Sequence, residues 1–307
     1  MVATLRSGRT FQSWLVMVPA AGFLLLGACA HHEPTSPGLA SQFDCLRDGS
    51  FAVVAAHRGQ PDPSAAENAL SSFKASHAAG IPFLEIDVAT TRDGVLVLMH
   101  DDSLDRTTTG YGRVGERTSG YIRTLKLKRP DGTVLDEGVP TCAETLDWGR
   151  VAGARFELDV KRTTRFGDVI EAVRTARMQD QVLVVTYNLA DARTVHNLDP
   201  RLMVSVTLET LDDLAAARQA IAVDRMLGWT GTSGPEGKPF AALRAAGIEP
   251  IFGTLGRPGR RLDDEYLADG NPSEYVALAR AGVVMIASDT PVVAQRAIGD
   301  GYRVCFR

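Results

Sequence analysis

A (β/α)8 barrel is the fold that the sequence predicts, and three observations predict it. Short apolar, β-branched runs alternate with helix-like stretches along most of the chain, as in a parallel sheet covered by helices. If the run at 96–99 is an addition to the second strand, eight strand–helix units remain in roughly 250 residues, the size of a closed barrel. The alternative is an open, doubly wound sheet, but no Gly-x-Gly-x-x-Gly motif follows the first strand.

The predicted strands are the runs richest in Val, Ile, Leu and Phe, and the predicted helices lie between them. Polar residues rich in Thr, Gly and Arg fill 101–142, which predicts an inserted loop region after the second strand, on the functional face of the barrel. The strands are predicted at 51–56, 83–88, 96–99, 155–160, 182–186, 203–207, 224–227, 250–254 and 283–287, with helices at 65–79, 166–177, 211–222, 240–246 and 273–281.

The composition of the chain restricts its class of function. Of the 307 residues, 45% are hydrophobic and 23% are charged, which excludes disordered, collagen-like and coiled-coil proteins. The net charge is −4, so the bulk electrostatics predict that nucleic acid is not a partner. A local basic pocket is still compatible with binding one phosphate.

The N-terminus has the pattern of a secretory signal. Arg6 and Arg9 precede an apolar stretch at 14–26, which is too short and too interrupted for a good membrane span. It ends in Leu-Gly-Ala-Cys, which resembles a bacterial lipobox with Cys29 as the lipidated residue. We therefore expect a lipoprotein signal peptide at 1–28 and a protein anchored in the cell envelope, on the periplasmic or outer-membrane side. An ordinary signal peptide or an uncleaved anchor is the alternative.

The expected location determines how the remaining sequence is interpreted. Residues 29–48 are predicted to be a tether and residues 49–307 the barrel. The envelope permits disulfides, and three cysteines remain after Cys29. Barrel closure brings the first and last units together, so Cys45 and Cys305 are the candidate pair, with Cys142 free. Because three is an odd number, at least one cysteine stays free or pairs elsewhere.

Chemically active side chains follow the ends of predicted strands. The first strand runs directly into His57, Arg58 and a glycine, and the run at 95–99 ends at His100. Histidine transfers protons near neutral pH, and the planar guanidinium of arginine can hold a phosphate. Because functional groups of a barrel collect at the C-terminal ends of its strands, these residues are expected at its mouth.

Two strands carry charges on alternate positions. Glu85 and Asp87 share one face of the second strand, and Glu157, Asp159 and Lys161 share one face of the 155–160 strand and its end. The apolar faces are expected to pack against the helices, so the carboxylates point inward, where like charges are costly without a counter-charge. A divalent cation such as Mg²⁺ or Ca²⁺ supplies that charge. A salt-bridge network with Arg or Lys is the alternative.

Taken in order, these motifs resemble the glycerophosphodiester phosphodiesterase family. The chain departs from the family pattern in three places: alanines at 66 and 69 replace proline and threonine, aspartate at 159 replaces glutamate, and the strand at 251–254 lacks the tryptophan that the family often has there. The matching motifs are His57-Arg58-Gly59, Ala66-Glu67-Asn68-Ala69, Gly80, Glu85-Ile86-Asp87-Val88, Thr91-Arg92-Asp93-Gly94, His100-Asp101, Leu104, Arg106-Thr107-Thr108, Gly110, Pro140-Thr141, Asp159-Val160-Lys161 and Ala287-Ser288-Asp289-Thr290-Pro291.

The resemblance implies a (β/α)8 barrel that hydrolyses a glycerophosphodiester to glycerol 3-phosphate and an alcohol. Two other interpretations stay open: a sphingomyelinase-D-like or phosphatidylinositol-phospholipase-C-like enzyme on the same barrel, and a non-catalytic surface lipoprotein that binds a ligand. The site that the resemblance implies uses one divalent ion on Glu85, Asp87 and Asp159, an acid–base pair of His57 and His100, and Arg58 and Lys161 near the phosphate.

Overall fold

Eight parallel strands close into a barrel in the part of the chain that the structure, a computed structural model, describes: Gly8 and residues 38–307. The first strand, β1, pairs with both β2 and β9, which closes the sheet, and β3 lies antiparallel beside β2 outside the ring. The barrel prediction is therefore confirmed. The strands are β1 Val53–Ala56, β2 Phe83–Thr90, β3 Leu96–Leu98, β4 Arg155–Val160, β5 Val182–Val185, β6 Met203–Thr207, β7 Met226–Trp229, β8 Glu249–Gly253 and β9 Met285–Ser288.

Helices cover the outside of the barrel and one of its ends. Within the described residues, no helix is long and apolar enough to span a bilayer. The α-helices are α1 Leu39–Asp48, α2 Leu70–Ala78, α3 Ser119–Ile122, α4 Cys142–Ala152, α5 Phe166–Ala176, α6 Leu189–Leu198, α7 Leu211–Ala217, α8 Phe240–Ala245, α9 Leu262–Tyr266, α10 Ser273–Ala281 and α11 Pro291–Ile298, and 3₁₀ turns occupy His57–Gly59, Val114–Glu116, Val223–Arg225 and Gly301–Phe306.

Local sequence signals fix the limits of these elements. Helix α4 begins at a capping box, in which the Thr141 hydroxyl accepts from the Glu144 N–H and the Glu144 carboxylate accepts from the Thr141 N–H. It ends where Gly153 adopts a left-handed φ of 72°. Strand β7 starts two residues later than predicted, because 223–225 form a 3₁₀ turn. Helix α2 starts at Leu70 instead of residue 65, because the preceding residues turn into the mouth of the barrel.

The alternation along the strands separates two packing layers. On β2, Leu84, Ile86 and Val88 are buried against the helices, while Phe83 packs inside the barrel. The N-terminal half of the interior is apolar, and the charged positions of β2 and β4 lie toward the C-terminal end. The apolar layer comprises Val53, Ala55, Phe83, Leu183, Met203, Leu227, Ile251 and Met285, together with Leu39, Phe43 and Leu46 of α1.

Helix α1 seals the N-terminal end of the barrel. It lies inside the segment 29–48 predicted as a tether, so the folded unit starts about ten residues earlier than the predicted boundary at 49. The apolar residues Leu39, Phe43 and Leu46 recur at helical spacing. The prediction of a tether considered only the composition of the segment and did not use this periodicity. The predicted signal peptide and Cys29 lie outside the described residues.

A disulfide joins the two ends of the folded unit. Cys45 on α1 bonds to Cys305 in the last 3₁₀ turn, with a Cα–Cα distance of 5.6 Å across a sequence separation of 260 residues. Cys142 is buried with a free thiol, and burial raises its pKa to about 12. The paired and free cysteines are thus those expected from the closure of the barrel.

Replacing both disulfide cysteines with serine is expected to lower the free energy of unfolding by about 2–5 kcal/mol, because the unfolded chain regains the freedom that a long cross-link removes. The measurement is chemical denaturation of both proteins with and without reductant. Reductant should destabilise the wild type and leave the double variant unchanged. Equal stability of the two proteins under oxidising conditions would contradict the prediction.

The region 101–141 forms a small layer against β3 beside the barrel mouth. Leu104, Val114, Ile122 and Leu127 are buried there with Val97 of β3. This apolar cluster fixes the backbone of a polar segment that contains two further charged residues of the site, Asp101 and Arg106.

Candidate active site

A cavity of about 230 Å³ opens at the C-terminal ends of the strands. His57 reaches it from the turn after β1, His100 from the loop after β3, and Lys161 from the end of β4. Tyr187 and Trp229, which follow or end strands on the other side, also line it. The cavity therefore brings together groups that are far apart in the sequence, at the face where barrels concentrate their chemistry.

His57 is held by an aspartate from the opposite end of the chain. Its Nδ1 lies 2.7 Å from Oδ1 of Asp289, which follows β9. The other oxygen of Asp289 accepts from the Gly256 N–H and from Arg261. Although burial opposes ionisation, the hydrogen bond to His57 contributes to lowering the pKa of Asp289 to about 2. Because a carboxylate only accepts, Nδ1 of His57 carries the hydrogen, and Nε2 is left for proton transfer.

His100 has an equivalent partner next to it in the chain. Its Nδ1 lies 2.8 Å from Oδ1 of Asp101, and the Arg106 guanidinium donates to both oxygens of Asp101 at 2.7 and 3.0 Å. The hydrogen bond from Arg106 holds the pKa of Asp101 well below its usual range. The Asp101 carboxylate therefore stays ionised beside the imidazole.

Glu67 connects the two sides of the mouth. Its buried carboxylate accepts two hydrogen bonds from Arg106, both at 2.7 Å, and one from Arg58 at 2.8 Å. Arg58 itself has a left-handed φ of 52°, and its N–H donates to Glu85 at 2.6 Å. We call this chain of contacts, Arg58–Glu67–Arg106–Asp101, the linking network. It ties the turn that contains His57 to the loop that contains His100.

The linking network includes Arg58, which the resemblance places near the phosphate. Arg58 is not among the described residues that line the cavity, and the buried Glu67 carboxylate pairs with its guanidinium. The place of Arg58 near the phosphate stays a prediction. Lys161 does line the cavity, in agreement with its expected place.

Arg106→Met is expected to reduce kcat by about 10- to 100-fold, because loss of the linking network leaves Asp101 and His100 less well oriented. Arg113→Met is the matched control: Arg113 lies in the same loop and pairs with Asp102 at 3.3 Å, with both side chains mostly exposed. The measurement is steady-state kinetics together with the melting temperature of each variant. Equal loss in the two variants would show that the network has no specific role.

Three carboxylates form a cluster beneath the histidines. Oxygens of Glu85, Asp87 and Asp159 lie within 4.8 Å of one another, and Asp87 pairs in register with Asp159 across β2 and β4. Lys161 Nζ lies 2.6 Å from Asp87 and 2.7 Å from Asp159. Burial lowers the pKa of Lys161, but the two aspartates more than offset this effect, so its ammonium stays charged.

The cluster fits a hard divalent cation. Its donors are all carboxylate oxygens, the set that Mg²⁺ and Ca²⁺ prefer. Oδ1 of Asp159 is buried without a hydrogen-bond partner among the described residues. Burial and the charges of Asp87 and Asp159 raise the pKa of Glu85 well above its ordinary value. Lys161 alone therefore leaves negative charge in the cluster without a counter-charge.

Several residues of the site were not predicted from the sequence. Asn68 donates to Asp87 at 2.6 Å, and Tyr187 donates to Asp159 at 2.8 Å. Glu157, by contrast, was expected to point inward: it pairs in register with Glu85 and lines the cavity, and burial raises its pKa to about 8. Asn68, Glu67 and Asp289 belong to motifs that the resemblance identified, whereas Tyr187 and Trp229 have no signal beyond their place near strand ends.

The closed barrel, with paired histidines and clustered carboxylates at its mouth, defines an enzyme of the (β/α)8 class. A model of the glycerophosphoryl diester phosphodiesterase family matches residues 57–253, and the chain belongs to that family. It is 28% identical over 160 residues to a glycerophosphodiester phosphodiesterase of Caldanaerobacter subterraneus subsp. tengcongensis. That match covers 50% of this chain and 65% of the relative.

Solved structures have the same fold. A glycerophosphoryl diester phosphodiesterase from Parabacteroides distasonis superposes with a TM-score of 0.73 at 23% identity, over 86% of this chain and 92% of that one. An Oleispira antarctica phosphodiesterase, solved in complex with the product sn-glycerol-3-phosphate, superposes with a TM-score of 0.64 at 22% identity, over 82% of this chain and 98% of that one.

Proposed function

We propose that the protein hydrolyses glycerophosphodiesters to glycerol 3-phosphate and an alcohol. The observation that carries the proposal is the pair of histidines at one cavity, each with Nδ1 on an aspartate, beside an acidic cluster and Lys161. Membership of the family and the sn-glycerol-3-phosphate found in the Oleispira antarctica enzyme support the choice of substrate.

The two histidines divide the proton transfers between them. His57, with Nδ1 bonded to Asp289, accepts a proton at Nε2 from the attacking oxygen, which is water or the 2-hydroxyl of the substrate's glycerol. Attack by the 2-hydroxyl releases the alcohol and forms a cyclic phosphate, which water then opens to glycerol 3-phosphate. His100, in its protonated form beside Asp101, donates a proton to the departing alcohol. The charged Lys161 draws the phosphate into the cavity and stabilises the negative charge that develops there.

Glu85, Asp87 and Asp159 hold one divalent cation, Mg²⁺ or Ca²⁺, in this proposal. The ion supplies positive charge beside the phosphoryl oxygens. Asn68 and Tyr187 donate to Asp87 and Asp159, and these hydrogen bonds keep the carboxylates oriented.

The test is incubation of the purified protein with a panel of glycerophosphodiesters, followed by an enzymatic assay for glycerol 3-phosphate. Release from glycerophosphocholine, glycerophosphoethanolamine or glycerophosphoglycerol supports the proposal and identifies the alcohol. Turnover of sphingomyelin or phosphatidylinositol, without turnover of any deacylated diester, would instead favour the enzymes that attack intact lipids. Turnover of neither class would favour the alternative of a non-catalytic lipoprotein that binds a ligand.

We further propose that the protein is a lipoprotein of the cell envelope, attached to the membrane through Cys29. The motif Leu-Gly-Ala-Cys after an apolar stretch supports this proposal. The Cys29→Ser variant should accumulate as unprocessed or soluble protein, whereas the wild type should fractionate with membranes and have an acylated N-terminus. A wild type that is soluble and has no acyl mass contradicts it.

A further inference from the structure

A second polar groove lies at the N-terminal end of the barrel, away from the active site. It measures about 450 Å³, and no Asp or Glu side chain is among the described residues that line it. Its lining is mainly basic and aromatic: His77, Arg155, Tyr302, Arg303, Phe306 and Arg307. None of these residues lines the cavity of the proposed enzyme, so the groove is a separate feature.

Arg155 is the central residue of this groove. It is the first residue of β4 and is half-buried, with its Nε donating to Gln42 at 2.8 Å and its guanidinium over the Phe306 ring at 4.0 Å. It makes no ion pair with a carboxylate among the described residues. Burial lowers its pKa to about 10. Its positive charge is therefore partly removed from water without a counter-ion.

The other charge at this end of the barrel is paired. Glu249 is the first residue of β8 and is also buried, and Arg47 of α1 forms an ion pair with it. Among the described residues, one buried charge at this end of the barrel thus has a counter-charge, whereas the Arg155 guanidinium has none. The Arg155 guanidinium can therefore accept an anionic partner.

Arg303 adds a second guanidinium to the same groove. Its side chain is 57% exposed and has one weak ion pair, with Asp300 at 3.3 Å. Gly80 lies next to this guanidinium, and a Cβ there would lie only 3.0 Å from Nη2 of Arg303. The lack of a side chain at Gly80 therefore lets the guanidinium pack against the backbone at the edge of the groove.

We propose that this groove binds a phosphate group, on a soluble phosphate or on the headgroup of an anionic phospholipid. Guanidinium groups bind tetrahedral oxyanions through paired, charge-assisted hydrogen bonds, and Arg155 and Arg303 offer two of them. The aromatic rings of Tyr302 and Phe306 hold these groups in place. The proposal concerns a site outside the active cavity and does not depend on the proposed catalytic function.

The first test locates soluble phosphate by NMR. The full chain, labelled with ¹⁵N, is titrated with inorganic phosphate while the amide signals of Gly80, Ile81 and residues 301–307 are followed. We expect these signals to shift in a saturable manner, and Arg303→Gln to weaken the binding about tenfold, the effect of losing one charge-assisted hydrogen bond. The amide signals of active-site residues show separately whether phosphate also binds in the active-site cavity.

Arg201→Gln is the matched control. Arg201 precedes β6 at the same end of the barrel, is 59% exposed and has one weak ion pair, with Asp199 at 3.8 Å. It does not line the groove. Arg155→Gln tests the second guanidinium of the groove. Arg155→Lys is used as well in case Arg155→Gln fails to fold, because it keeps the charge but lacks the planar fork. It is expected to bind phosphate more weakly than the wild type.

The second test identifies a lipid source. Co-sedimentation with phosphatidylcholine vesicles is compared with vesicles that also contain phosphatidylglycerol, and the increment due to the anionic lipid is measured for each variant. If Arg303→Gln reduces this increment and Arg201→Gln does not, the groove binds lipid headgroups. If phosphate shifts the NMR signals of the groove but anionic lipid gives no increment in co-sedimentation, the groove binds a soluble anion. Absence of both responses in the wild type, or equal responses in wild type and Arg303→Gln, overturns the proposal.

Discussion

Replacing His57 or His100 with alanine is expected to reduce kcat by about 10²–10⁴, the usual effect of losing one proton-transfer group. The KM value should change less, because neither variant alters the groups proposed to hold the phosphate, Lys161 and a cation on the acidic cluster. The measurement is steady-state kinetics on a glycerophosphodiester whose leaving alcohol is poorly acidic. Near-normal kcat in both variants contradicts the two-histidine mechanism.

The leaving group distinguishes the acid from the base. p-Nitrophenolate departs without a proton, so bis(p-nitrophenyl) phosphate should restore turnover to the variant that lost the acid, which we assign to His100. The variant that lost the base should stay slow on both substrates. Rescue of His57→Ala instead would exchange the two roles while keeping the mechanism. The kcat–pH profile of the wild type should be bell-shaped, because one imidazole must be neutral and the other protonated.

Replacing Asp87 with alanine is expected to abolish most activity, and excess Mg²⁺ or Ca²⁺ should restore only part of it. The variant removes one of three carboxylates from the cluster and also the 2.6 Å ion pair with Lys161. Calorimetric titration with each metal should show weaker binding than in the wild type. Chelator should inactivate the wild type, and the readdition of metal should restore it.

Asp93→Ala is the control for this experiment. Asp93 is an exposed carboxylate in the loop after β2, and it accepts hydrogen bonds from Thr91 and Ser119, outside the cavity. Its loss should leave metal affinity unchanged. Normal, chelator-resistant turnover of Asp87→Ala would exclude the metal site.

The barrel was predictable because its strands follow rules of local chemistry. On β2, the alternation of Leu84 and Ile86 with Glu85 and Asp87 gives both the strand and the direction of each face. Helix α1 was not predicted, because its few apolar residues lie beside a stretch rich in Pro, Ser and Gly. Its stability comes from Phe43 and Leu46 in the apolar end of the barrel, a contact that the segment alone does not reveal.

The site was predictable to the level of residue types and strand ends. The two histidines and the three clustered carboxylates came from their positions at strand ends and from the family resemblance. The hydrogen-bond partners of these residues depend on which side chains come together in the folded chain. Asp289, which bonds to His57, lies 232 residues from it in the sequence, and the Glu67 carboxylate bonds to Arg58. Neither hydrogen bond can be predicted from sequence spacing alone.

The bond between Cys45 and Cys305 also makes the folded unit a covalent ring. A protease that cuts one exposed loop of the barrel, such as the polar turn at 129–132, produces two fragments that remain joined. The cut chain keeps β1 beside both of its neighbours, because the bond still holds the first helix to the last turn. One nick therefore leaves the protein as a single molecule, and separation of its pieces requires a second cut or a reductant.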